Sequence, residues 1–152
     1  MKLTPADIWF SKCVRERAEW TCELCNVMYR LPSIILQCSH FKKRDFWAVR
    51  TDPENAIALC SVCHKFVERK KKPHRELHVK IFGEDVTARV EASADDLMLA
   101  KAMKQTEGKG KISKHYRDEF RRMEELRAAG VTGRIEFVGF GRTRPSERKY
   151  CG

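Results

Sequence analysis

The chain has 152 residues, 42% of them apolar and 34% charged, a length that fits one domain with appended elements. No uncharged apolar run approaches the roughly 18 residues of a membrane span. Pro5 and Asp7 stand where a signal peptide would carry its apolar segment, so an intracellular protein without membrane contact is expected. Thirty-one basic against twenty-one acidic side chains leave a net charge of +10, which makes nucleic acid the expected partner rather than a small-molecule substrate.

The first element is predicted over 4–17, with Thr4 as cap, Pro5 at the first helical position and Asp7 as the early acid. Ile8, Trp9, Cys13 and Val14 supply its apolar face. Residues 19–29 hold a first cysteine pair, and Ser33 to Cys38 (SIILQC) is β-branched enough for a strand whose end presents His40. A polar, basic connection over 41–54 closes at Asp52-Pro53. Ala56 to Leu59 (AIAL) then reads as a second strand leading to Cys60, and a helix is expected from Ser61 to Lys71, ended by Pro73. Helical periodicity continues through Leu77, Ile81 and Phe82 and again through Val86 and Val90, with Gly83 as the break. Gly108 and Gly110, among lysines, read as a flexible connection. Ile112, Tyr116, Phe120, Met123 and Leu126 recur at intervals of three and four, the stripe of an amphipathic helix that either packs on a core or forms a dimer interface. The end of the chain is basic and without an apolar pattern, hence a tail.

Seven cysteines, an odd number, fit metal binding better than a complete disulfide framework. Cys22-x-x-Cys25 and Cys60-x-x-Cys63 can place four thiolates tetrahedrally around one structural Zn²⁺ with no open coordination position. The interval between the pairs exceeds the roughly 15–20 residues of an ordinary zinc ribbon, so it must contain an inserted unit. Cys13, Cys38 and Cys151 are left outside the metal set.

Inside that interval and just beyond it lie His40, Asn55 and His64, the last directly after the second cysteine pair. The His–Asn–His order on a strand–loop–strand–helix pattern resembles the HNH nucleases. Within that group VRERAEWTCELC (14–25), SHF (39–41), RTDPEN (50–55) and ALCSVCHK (58–65) look most like the bacteriophage recombination endonucleases of the lambda Rap (NinG) family, and more distantly like the phage junction resolvase endonuclease VII. The fold class expected is therefore α+β, a ββα-metal nuclease core stapled by a four-cysteine zinc site, with an N-terminal helix and a helical C-terminal extension. The expected segments are 1–80 for the nuclease unit, 81–130 for the extension and 131–152 for the tail.

Phosphodiester hydrolysis needs a base for water and a Lewis acid for the phosphate charge. His40 has the residue type and place for the base, since a free imidazole of pKa near ~6.5 is mostly neutral at physiological pH. The resemblance implies that His64 ligates a catalytic Mg²⁺ or Mn²⁺ and that Asn55 orients the loop or His40. Many HNH sites carry Asp immediately before the base, whereas this chain has Ser39. Water and phosphate, Asp45 or Asp52 are the alternatives for the missing ligand. Lys42, Lys43, Arg44 and Arg50 in the connection, and Lys65, Arg69 and Lys70 on the following helix, are expected to bind DNA phosphates. Phe41, Phe46 and Trp47 interleave with these charges; core packing is the expected role, with a base wedge as the alternative for Trp47. His74 and His78 lie four apart but lack a partner carboxylate in the pattern.

The implied activity is structure-specific cleavage of branched DNA such as Holliday junctions or D-loops by a homodimer, with the 112–126 stripe as interface. The competing readings are a general or nicking HNH endonuclease and a non-catalytic zinc module that binds nucleic acid.

Overall fold

The computed structural model describes residues 1–29 and 34–144. It is an α+β fold of six α-helices and one two-stranded antiparallel sheet among the described residues. Helix α1 (Pro5–Arg17) begins at a capping box in which Asp7 N–H donates to Thr4 Oγ1 at 3.2 Å and Thr4 N–H donates to Asp7 Oδ2 at 2.7 Å. Strand β1 (Leu36–His40) pairs with β2 (Ala56–Cys60) so that Cys38 faces Ala58 and His40 faces Ala56. The strand expected over 33–38 instead begins at Leu36 and runs on to His40, with Ile34 and Ile35 in a bend before it; Ser33 lies outside the described residues. A 3₁₀ turn (Pro53–Asn55) leads into β2, and α2 (Ser61–Arg69) follows directly.

Helix α2 stops before Pro73 is reached. Lys70 is extended, at φ −136° and ψ 113°, and α3 (Lys71–Phe82) starts after it. Pro73 therefore occupies the first turn of α3, where its missing N–H has no helical partner to lose. Gly83 at φ +92° separates α3 from α4 (Glu84–Ala94), a conformation that glycine adopts without strain. Helix α5 (Leu97–Gly108) is capped by Asp96, which accepts from Leu99 N–H at 2.9 Å; no apolar period in the sequence marks it. The expected flexible connection is a tight junction in which Gly110, at φ +71°, caps α6 (Lys111–Ala128).

The stripe of α6 is internal. Ile112, Tyr116, Phe120 and Met123 are buried against Phe10, Cys13 and Val14 of α1, and the Phe10 and Tyr116 rings meet edge-on at 5.2 Å. The expectation of a dimer interface on this stripe is corrected, because its apolar area is already covered within the chain. Ile135 and Phe137 are buried in the same core, and Ile135 N–H donates to Arg17 O at 3.2 Å. The expected tail from 131 is therefore packed at least over this stretch, and the segment limits near 80 and 130 do not separate cores. Residues 145–152, with Cys151, lie outside the described residues. No helix is long and apolar enough to cross a membrane among the described residues.

Candidate functional site

Cys22 and Cys25 lie in a small hairpin closed by Cys22 N–H on Val27 O at 2.9 Å and by the Thr21–Met28 bridge. Asn26 turns this loop at φ +62°, a left-handed position that asparagine tolerates. Cys60 ends β2 and caps α2, its sulfur accepting from Cys63 N–H at 3.5 Å. Glu23 joins the two halves: its N–H donates to Ala58 O at 2.8 Å and its carboxylate accepts from Ala58 N–H at 2.7 Å, so the hairpin docks on the open edge of β2. All four sulfurs fall within 4.8 Å of one another. A tetrahedral zinc with Zn–S of about 2.3 Å separates its ligands by about 3.8 Å, so the donor set and spacing fit. At Cys60 burial opposes ionisation, yet the Cys63 N–H and neighbouring thiol and phenol groups bring its pKa down to about 7. Four cysteines clustered in this way can hold a structural metal such as zinc.

The β1–β2 connection carries His40 and Asn55. Nε2 of His40 lies 2.9 Å from Arg50 O. A carbonyl only accepts, so Nε2 bears the proton and Nδ1 holds the lone pair. Burial pushes the imidazole pKa down to about 4, with the Arg44 charge adding to the effect, and the ring is neutral at physiological pH. Asn55 is fully buried. Its Oδ1 accepts from Lys42 N–H at 2.7 Å, while Nδ2 donates to Lys42 O and Val49 O, both at 2.9 Å. One amide thus fixes both ends of the 42–49 loop and with it the carbonyl that orients His40.

His64 stands in the first turns of α2, one residue beyond the cysteine cluster. Its Nδ1 meets Gln37 Oε1 at 2.8 Å and its Nε2 meets Glu68 Oε1 at 3.1 Å. Arg44 acts electrostatically on both His40 and His64. Its Nε has no hydrogen-bond partner among the described residues.

Not every expected phosphate contact is available. Arg50 is 2% exposed and makes a two-pronged ion pair with Asp7, at 2.9 and 2.6 Å, so it is a structural cation and not a DNA contact. Burial would raise the Asp7 pKa, but hydrogen bonds from Arg50 and Thr4 hold it below the usual carboxylate range. Trp47 is stacked under the Arg50 guanidinium at 4.3 Å, which removes it as a wedge. Lys43, Lys65, Arg69 and Lys70 are exposed or partly so, as are Lys42 and Arg44. Asp52 cannot supply the missing ligand, being engaged by Arg89 at 2.9 Å and Arg142 at 3.1 Å, while Asp45 stays exposed in the loop. His78 is held between Glu54 O at 2.5 Å and Thr87 Oγ1 at 2.7 Å, so no His74–His78 metal pair forms.

Gln37 and Glu68, the two partners of the His64 ring, are residues that the sequence reading does not single out. Glu68 carries a signal that could find it, since four residues after His64 on a helix is one turn along the same face. The cysteine quartet is the only cluster of three or more metal-ligating side chains among the described residues. No protein-family model, no curated protein and no solved structure matches the chain.

Proposed function

We propose that this chain is a metal-dependent DNA endonuclease of the HNH type that hydrolyses phosphodiester bonds in branched recombination intermediates. The observation that carries the reading is the fixed tautomer of His40. Arg50 O accepts a hydrogen bond from Nε2–H and Asn55 anchors the loop that presents this carbonyl, so Nδ1 is left as the base for an attacking water. His64 supports the same reading from the start of α2, with Gln37 orienting its ring. A Mg²⁺ or Mn²⁺ ion at His64 would supply Lewis-acid stabilisation of the phosphate. Arg44 lies where it can share that charge, and Lys42, Lys43, Lys65, Arg69 and Lys70 offer further phosphate contacts on the loop and helix. The four cysteines, loaded with zinc, would hold His64 in register with the hairpin.

The preference for branched over linear DNA rests on the resemblance to the lambda Rap family. Paired cuts in a junction require two sites, hence a homodimer, built on a surface other than the α6 stripe. Cleavage of a labelled four-way junction and a linear duplex of matched sequence tests the whole reading, with Mg²⁺, Mn²⁺ or EDTA. Metal-dependent paired cuts confined to the junction are expected, and His40→Ala should abolish cutting while retaining binding. Equal cutting of both substrates would leave a general HNH nuclease. Binding without cutting by the wild type would leave a zinc-held nucleic-acid-binding module.

A further inference from the structure

With Ser39 where many HNH sites carry a carboxylate, and with Asp52 committed to arginines, the hairpin leaves only Asp45, exposed in its loop, as an acidic ligand for the divalent ion of the proposed nuclease. Helix α2 offers another. His64 Nδ1 lies 2.8 Å from Gln37 Oε1, an acceptor, so Nδ1 carries the proton and the lone pair of Nε2 points the other way. There, 3.1 Å away, sits Glu68 Oε1. A lone pair facing a carboxylate oxygen is repulsive unless a proton or a metal cation lies between or beside them. Two ligands bound at about 2.1 Å and at right angles on an octahedral ion are about 3.0 Å apart, so this spacing is that of neighbouring ligands of one metal.

A second feature points to the same place. His74 is 8% exposed, its Nε2 has no hydrogen-bond partner among the described residues, and His64 and Glu68 both act electrostatically on its ring. Buried polar atoms are nearly always paired, and an orphan among them calls for a missing ligand or water. Ser39 Oγ is a second such orphan, fully buried, and strand alternation puts it on the Gln37 face of β1. Water carried by a hydrated ion is one partner that such orphaned atoms can take.

We infer that Glu68 and His64 together form a divalent-cation site, in which Glu68 supplies the carboxylate that position 39 does not. The role of that ion in cutting DNA rests on the proposed nuclease reading; its binding does not. The test is therefore made without DNA, on zinc-loaded full-length protein titrated with Mn²⁺ and followed by electron paramagnetic resonance and calorimetry. Glu68 is 62% exposed, so Glu68→Gln should fold normally. It is expected to weaken Mn²⁺ binding at least tenfold. Glu76→Gln, at a glutamate 65% exposed in an ordinary four-apart pair with Lys72, should bind as the wild type does. Equal Mn²⁺ affinity in wild type and Glu68→Gln, or no saturable binding by the wild type at millimolar Mn²⁺, would overturn the inference and leave His64–Glu68 an ordinary ion pair. Mn²⁺ binding that depends on Glu68, in a protein that cuts no DNA, would uphold the site and remove the nuclease reading.

Discussion

Two histidines share one physical signature. His40 and His74 both have their pKa lowered to about 4, in each case chiefly by burial, with nearby cations adding at His40 and the charges of His78 and His64 adding at His74. A histidine whose folded pKa lies below its unfolded value binds fewer protons in the folded state, so stability rises with pH across that window. The contribution is neutral above about pH 6.5. It turns unfavourable as pH falls toward 4, reaching about 3 kcal/mol for each group. Urea unfolding of wild type and His74→Gln between pH 7 and pH 4.5 should therefore show the variant gaining on the wild type as the solution is acidified. A gap that stays constant with pH would mean that His74 titrates as a free imidazole. His40 is legible in the sequence, because its order with Asn55, His64 and four cysteines is specific. His74 is not, since an unpaired nitrogen is a property of packing and not of residue type.

At the scale of elements, the Asp7–Arg50 pair, both side chains 2% exposed, joins α1 to the β1–β2 connection, as does Arg17 through Pro53 O at 2.7 Å. Arg50 also holds the loop's own backbone through Arg44 O at 3.3 Å, and its carbonyl orients His40. Removing one member of a buried pair strands the other charge, at a cost of about 3–5 kcal/mol. Asp7→Ala should lower stability by that order in denaturant titrations, and Asp7→Leu with Arg50→Met should recover much of it. The sequence assigns Arg50 to phosphate because its neighbours are basic; the true partner lies forty-three positions away, beyond any local pattern. Local chemistry is legible where it acts locally. The Thr4 and Asp7 capping box, the cysteine knuckles and the break at Gly83 are all readable, whereas the α2–α3 boundary turns on the extended backbone of Lys70. The knuckles carry their own prediction. Elemental analysis should find one zinc per chain, and Cys63→Ser should lose it together with cutting, while circular dichroism keeps most of the helical signal, because α1 and α6 pack directly on each other through apolar side chains.

Across the whole molecule, the same stripe that suggests a dimer from sequence closes the monomer. An amphipathic face reports that something apolar will cover it and not what that something is. Here the cover is α1, with Phe10 between Tyr116 and Phe137 at 5.2 and 5.9 Å, and Tyr116 hydroxyl on Thr51 O beside the loop. This core thus supports the β1–β2 hairpin and joins residues from both ends of the described chain. Phe120 separates the two roles. It is 9% exposed, and Trp9 packs on it at a ring distance of 6.0 Å, so truncation should open a cavity costing about 3–5 kcal/mol. If α6 were an interface, Phe120→Ala would shift mass in sedimentation at micromolar protein and leave the melting of the isolated chain little changed. With α6 internal, the variant should melt well below the wild type at every protein concentration and sediment with the same mass. Any dimer that the paired cutting of a junction demands must then be sought among surfaces that remain open, such as the exposed Leu97 and Met98 at the start of α5.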